Sequence, residues 1–139
     1  NAGDVLGRAA VDEDDAAVLD QNHTLKHIIL TGHKDGKVLI WRLQQFIGVL
    51  ADYQCEVTAI SKCFEGIALA TMKGQIFIWD EYLLKCGSTI ELSQLPFKIL
   101  SSYVVSLDYN QRRVLVCTMY GDVVEVILTE AGSSKNIKA

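Results

Sequence analysis

Short apolar runs, each broken by glycine or charge, recur along the chain from residue 27 to residue 128. They read HIIL (27–30), KVLIWRL (37–43), IGVLADY (47–53), EVTAI (56–60), GIALATM (66–72), QIFIWDEYLL (75–84), YVVSLDY (103–109), RVLVCTM (113–119) and DVVEVIL (122–128). Most are rich in Val, Ile, Leu and aromatic residues, which predicts strands separated by turns. Apolar positions at helical spacing are hard to find after residue 23. Many short strands at regular spacing predict an all-β sandwich, barrel or propeller.

An internal repeat narrows that choice. TGHKDGKVLIW, TMKGQIFIW and TMYGDVVEV superpose on Gly36, Gly74 and Gly121, which are 38 and 47 residues apart. Thr31, Thr71 and Thr118 precede these glycines, with two extra residues in the first copy. A period near 40 residues built from strand, turn and strand marks propeller blades. One such unit cannot cover both of its faces, so similar units must stack. Asp35-Gly36 is a tight-turn signal, since both residues tolerate positive φ. Lys73-Gly74 and Tyr120-Gly121 take the same place in the other copies. Trp41 and Trp79 are expected to pack between blades, and a buried indole N–H needs an acceptor. Thr31 and Thr71 are the expected acceptors. Pro96 marks LSQLPFKILSS (92–102) as a loop or strand edge and accounts for the longer second spacing.

The 139-residue length suffices for one domain with a core, and the single proline argues against a disordered chain. The net charge of −4 is uneven: residues 1–22 hold six carboxylates against Arg8, so the remainder is close to neutral. That segment reads as an acidic linker or tail, or as a contact segment for a basic partner. No basic face points to nucleic acid, and no apolar run reaches the roughly 20 residues of a membrane helix. The chain starts at Asn1, so it is expected to be a piece of a longer one. Cys55, Cys63, Cys86 and Cys117 lack CxxC spacing, and buried reduced thiols in a reducing compartment are expected.

Candidate chemistry adds little. Three residues separate Gly32 from Gly36, and Val38 follows Lys37, so the phosphate-loop spacing is not met. His23, His27 and His33 have no evident ligand partners, and zinc needs three or four converging ligands. His33 therefore reads as a loop or strand-edge histidine without a role. No catalytic, cofactor-binding or metal residue is assigned, and a non-enzymatic protein is expected. Tyr53, Tyr82, Tyr103 and Tyr120 at strand ends, with Arg112 and Arg113 in the one local basic spot, are the candidate partner contacts.

Together these residues resemble a WD-repeat β-propeller. The usual second-to-third-strand consensus is apolar, small, Ser/Thr, Gly, two free positions, Asp, Gly, then Val and a final Trp. Thr31, Gly32, Asp35, Gly36, Val38 and Trp41 fall on it; the second unit keeps Thr71, Gly74, Ile76, Trp79 and Asp80. The third keeps Thr118 and Gly121 and has Val126 in place of tryptophan. No unit has a Gly-His pair ahead of its first strand. Within that superfamily, TGHKDGKVLIW is similar to the TGGKDG hairpins of the echinoderm microtubule-associated protein-like group. The resemblance covers residues 25 to 130. It implies an all-β partial propeller of about two and a half to three blades. The expected boundaries are 1–22 for the linker, 23–130 for the blades (units near 25–53, 56–92 and 103–130), and 131–139 for a C-terminal tail. It further implies a protein-interaction scaffold in the cytoplasm, at the cytoskeleton or cilium. Its partners would be other proteins, with tubulin or microtubules as the candidates, and the remaining blades of a parent chain. A trafficking or ubiquitin-ligase adaptor, a propeller enzyme and a plain β-sandwich are the alternatives.

Overall fold

The computed structural model describes residues 27–129 except 81 and 84, together with the backbone of 135–138. The expected acidic linker and His23 lie outside these residues. Within them the chain forms three antiparallel sheets in succession. The first holds β1 (Ile28–Gly32), β2 (Lys37–Arg42) and β3 (Gln45–Asp52). The second holds β4 (Val57–Cys63), β5 (Gly66–Thr71), β6 (Gln75–Asp80) and β7 (Cys86–Glu91), and the third β8 (Val104–Asn110), β9 (Arg113–Thr118), β10 (Val123–Leu128) and β11 (Lys135–Lys138). Neighbours in sequence are neighbours in each sheet. β11 lies in the stretch expected as a tail and pairs with β10.

Two strands escaped the apolar pattern. β7, CGSTIE, is the outer strand of its sheet and buries only Ile90, so it has no alternation to display. β11, KNIK, sits at the corresponding edge of the third sheet. Cys86 lies on β7 and is exposed, which corrects its expected burial; the other three thiols are half-buried, and all four are free.

The second sheet is sandwiched between the other two. β5, GIALAT, is buried at every position, whereas β9, RVLVCT, alternates because the described residues cover only one of its faces. Ile67 and Leu69 point toward Ile28, Val38, Ile40 and Ile47 of the first sheet. Ala68, Ala70, Ile76 and Ile78 point the other way, toward Val114, Val116, Val124 and Val126 of the third. Fully burying side chains of this size contributes about 1.5–3 kcal/mol each, which makes the two inter-sheet layers the main cohesive term. Polar bonds set the register between sheets. The backbone N–H of Tyr109 donates to Ser61 Oγ (2.8 Å), and Lys62 Nζ donates to the Ile28 carbonyl (2.7 Å).

The repeat runs deeper than its letters. β4 and β8 each enter with a register shift, at Val57/Ala59 and Val104/Ser106, positions 47 apart. Met72 N–H donates to the Glu56 carbonyl and Met119 N–H to that of Tyr103, again at the same offset. The turns also correct the alignment of the first copy. Gly36, Gly74 and Gly121 donate their N–H groups to the carbonyls of His33, Thr71 and Thr118. All three turns therefore have one length, with no two-residue insertion. His33, not Thr31, stands where Thr71 and Thr118 stand.

Candidate interaction face

The sheets expose two ends. One carries the β1–β2, β5–β6 and β9–β10 turns and both connections between sheets; the other carries the β2–β3, β4–β5, β6–β7 and β8–β9 turns. At the first end the 92–102 connection, opening with a 3-10 turn at Leu92–Gln94, settles between two turns. Leu92 N–H donates to the Gly74 carbonyl, and Leu100 N–H donates to Asp122 Oδ2 at 2.6 Å. A Cβ on Gly74 would lie 2.7 Å from that of Ser102, so only glycine admits the loop this closely. Along it runs an open cleft of about 450 Å³, lined among others by Leu95, Pro96, Phe97 and Ile99. Leu100, which lines the cleft, is 77% exposed, and Met72, Met119 and Tyr120 in the β5–β6 and β9–β10 turns are exposed at the same end. Met72 and Met119 occupy the same register position in successive turns. The repeated letters TMKG and TMYG carried that signal, but sequence reading used only their threonine and glycine.

The predicted contact residues do not converge. Tyr53 lies between the first two sheets, its ring stacked on Phe77 (4.3 Å, 11°) and its hydroxyl accepting from Trp79 Nε1 (2.9 Å). Burial raises its phenol to about 12. Tyr103 donates its hydroxyl to Glu56 Oε2 (3.2 Å), bridging the second and third sheets, and desolvation followed by the Glu56 charge raises its pKa. Tyr120 alone of the four is exposed, at the cleft end, and half-buried Tyr82 sits at the opposite end. Arg112 is also at the opposite end, its guanidinium donating to the Thr129 carbonyl and its backbone N–H to Glu65 Oε1 (3.1 Å). Arg113 pairs with Glu125 across β9 and β10 (3.0 Å). Phe64, 89% exposed in the β4–β5 turn, is a further unpredicted apolar group at that end.

The repeat residues show how each unit is held. Trp41 Nε1 donates to Thr31 Oγ1 (2.9 Å), as expected. Thr31 can pass its own hydrogen to His33 Nε2, 2.8 Å away, so His33 extends this relay rather than standing without a role. Trp79 departs from expectation, since its donor goes to Tyr53 and not to Thr71. The position that Thr31 fills is Leu69 in the second unit and Val116 in the third. Thr71 (0% exposed) and Thr118 (3%) sit two residues further on, and their hydroxyl oxygens have no hydrogen-bond partner among the described residues. Asp35 accepts from Lys37, at the backbone (3.1 Å) and at Nζ (2.9 Å), which lowers the carboxyl pKa and raises that of the ammonium. Asp80 caps the β6–β7 turn, accepting from Tyr82 N–H (3.1 Å). Among the described residues no three His, Cys, Asp or Glu side chains gather as a metal site requires.

No family model and no curated protein matches the chain. Solved structures do. The β-propeller domain of Cps50 (Swd1) from Myceliophteria thermophila is similar with a TM-score of 0.63 at 18% identity, over 81% of this chain and 35% of that one. A chain of the mitotic checkpoint complex gives 0.61 at 14%, over 81% and 35%. The computationally designed Ika4 protein gives 0.53 at 22%, over 70% and 58%. The chain thus spans about a third of the length of the first of these. Identities this low establish the fold alone. Its three successive sheets, stacked face to face with their inner strands β4 and β8 in contact, are those of a partial β-propeller.

Proposed function

We propose that the chain is part of a non-enzymatic protein-interaction scaffold of the WD-repeat kind. The observation that carries this reading is the cleft end. There Leu100 lines a cleft of about 450 Å³, and Met72, Met119 and Tyr120 are exposed in the turns at the same end. Exposed apolar side chains gathered at one place mark interaction sites in soluble proteins, and Met and Tyr are enriched in interface cores. Two similar solved chains are described as a propeller domain and as part of a named complex, which favours protein partners for this chain as well.

The hairpin TGHKDGKVLIW supports a finer reading, a place among the echinoderm microtubule-associated protein-like proteins, with tubulin as partner and the cytoskeleton or cilium as setting. Further blades would complete the ring. The test is co-sedimentation of the 139-residue chain with polymerised tubulin, beside a Met72→Asp/Met119→Asp variant. Pelleting of the wild type, reduced at least tenfold in affinity by the double substitution, supports both the partner and the face. Failure to pellet at micromolar tubulin removes the microtubule reading. Pelleting that the variant does not change moves the contact off this face.

A further inference from the structure

The three sheets differ at their inner edge. In the second and third, the innermost strand, β4 or β8, pairs with the strand that follows it, β5 or β9. β1 is the counterpart of β5 and β9, yet among the described residues it pairs with β2 alone. Lys34 stands where Met72 and Met119 stand. Their N–H groups reach the carbonyls of Glu56 and Tyr103, and among the described residues that of Lys34 has no such acceptor. An open strand edge is a template for a further strand, held by main-chain hydrogen bonds.

The entry to β1 points to the segment that fills this edge. His27, just ahead of β1, has φ +65°, as Gln44 (+70°) and Arg112 (+60°) have where hairpins close onto β3 and β9. Positive φ is uncommon outside glycine and marks a tight turn, so β1 too is entered as the second arm of a hairpin. The first arm is legible in the sequence. Residues 19–22 read LDQN, and residues 107–110 at the end of β8 read LDYN. Aligned on these letters, AAVLDQN (16–22) takes the places of VVSLDYN (104–110), with a five-residue connection in place of two. Hairpins of that loop length are common. The segment holds one charge, Asp20, at the place of Ser61. Ser61 Oγ accepts from the N–H of Tyr109 on the next innermost strand (2.8 Å). The counterpart of Tyr109 is Lys62, whose ammonium already reaches the Ile28 carbonyl at the start of β1. A carboxylate at position 20 matches that site in both hydrogen bonding and charge.

We infer that residues 16–22 dock on the open edge of β1 as the innermost strand of the first sheet. The β8–β9 register, with Leu107 opposite Val116, Asp108 opposite Leu115 and Tyr109 opposite Val114, sets the pairing. It places Leu19 opposite Thr31, Asp20 opposite Leu30 and Gln21 opposite Ile29, with the Asp20 carboxylate beside Lys62. β4 and β8 both start at the cleft end, so the same course leaves the acidic run 12–15 at that end, beside the β1–β2 turn. The stretch expected as one linker thus divides at residue 16, where the acidic run stops and the apolar letters begin. None of this depends on the partner bound at the cleft end.

Hydrogen exchange read by mass spectrometry on the 139-residue chain tests the docking. Amides of residues 17–22 should exchange about a hundredfold more slowly than in a free peptide of residues 14–24. Asp20→Pro removes a ladder N–H and should return these amides and those of β1 to fast exchange, with β9 still protected. Oxidative cross-linking tests the register. Gln21→Cys with Ile29→Cys should give a disulfide between positions 21 and 29, located by peptide mapping. Asp20→Cys with Ile29→Cys should not, because successive side chains point to opposite faces. Ile29 is 58% exposed, so its replacement leaves the core intact. Exchange of residues 17–22 at the free-peptide rate overturns the docking and assigns the β1 edge to a strand from elsewhere. Disulfides from both pairs, or from neither, overturn the register. The tubulin experiment is read with Met72 and Met119, so failure of either idea leaves the other standing.

Discussion

Replacing threonine by valine at positions 31 and 71 should have opposite effects, although the two residues look equivalent in the sequence. Thr31 Oγ1 accepts from Trp41 Nε1 and lies against His33 Nε2. Valine there removes both bonds and leaves an indole N–H in a half-buried place without an acceptor. A net hydrogen bond contributes about 1 kcal/mol, and a stranded buried donor costs about 1–3, so a loss of about 2 kcal/mol follows. Thr71 is fully buried and its hydroxyl has no partner among the described residues. Valine there keeps the β-branched shape and removes an uncompensated polar atom; from the cost of burying a hydroxyl, a gain of about 1 kcal/mol follows. For roughly 100 ordered residues these changes correspond to a Tm lower by about 10 °C and higher by about 5 °C. Thermal unfolding followed by circular dichroism reads both, and Thr118→Val should behave like Thr71→Val. If Thr71→Val destabilised as much as Thr31→Val, the hydroxyl would have a partner after all. The separation of Thr31 from the other two threonines would then fail.

Other outcomes follow from the same geometry. Tyr53→Phe keeps the stack on Phe77 but strands the Trp79 donor, costing about 1–2 kcal/mol in urea unfolding; in a Trp79→Phe background the same change should cost little. Gly66 has φ +142° and a Cβ there would lie 1.9 Å from the Trp79 carbonyl oxygen, so Gly66→Ala should cost about 3 kcal/mol or prevent folding. Gly121, at φ +91° with open space around it, should lose only about 1 kcal/mol as alanine, the backbone term alone. Burial holds Tyr53 and Tyr109 at about 12, above the ordinary phenol value near 10. The fold therefore favours the protonated phenols; their contribution is complete below about pH 10 and is lost as pH rises toward 12. Phenolate absorbance should show Tyr53 and Tyr109 ionising late, together with unfolding, with Tyr103 also shifted upward. Ionisation of all five near pH 10 would refute this.

What could be read from the sequence depended on whether the backbone forces a residue type. Gly36, Gly74 and Gly121 all sit at positive φ, where other residues are strained, so their spacing announced the repeat correctly. The strand letters between them followed from burial on one face or two: GIALAT in the enclosed sheet, RVLVCT in the outer one. The atom that closes each turn, however, is a backbone carbonyl, which any residue supplies. An alignment matching threonine with threonine therefore slid by two residues, and the carbonyls of His33, Thr71 and Thr118 reveal the true register. The same slip explains the misplaced partner of Trp79. An indole donor requires an acceptor but does not say from which segment, and with Leu69 in the Thr31 position the acceptor is Tyr53, in the connection after β3. A tyrosine recruited in this way leaves the pool of surface contacts. The exposed cleft-end groups that take its place, Met72 and Met119, were hidden by being ordinary core-type residues in turn positions.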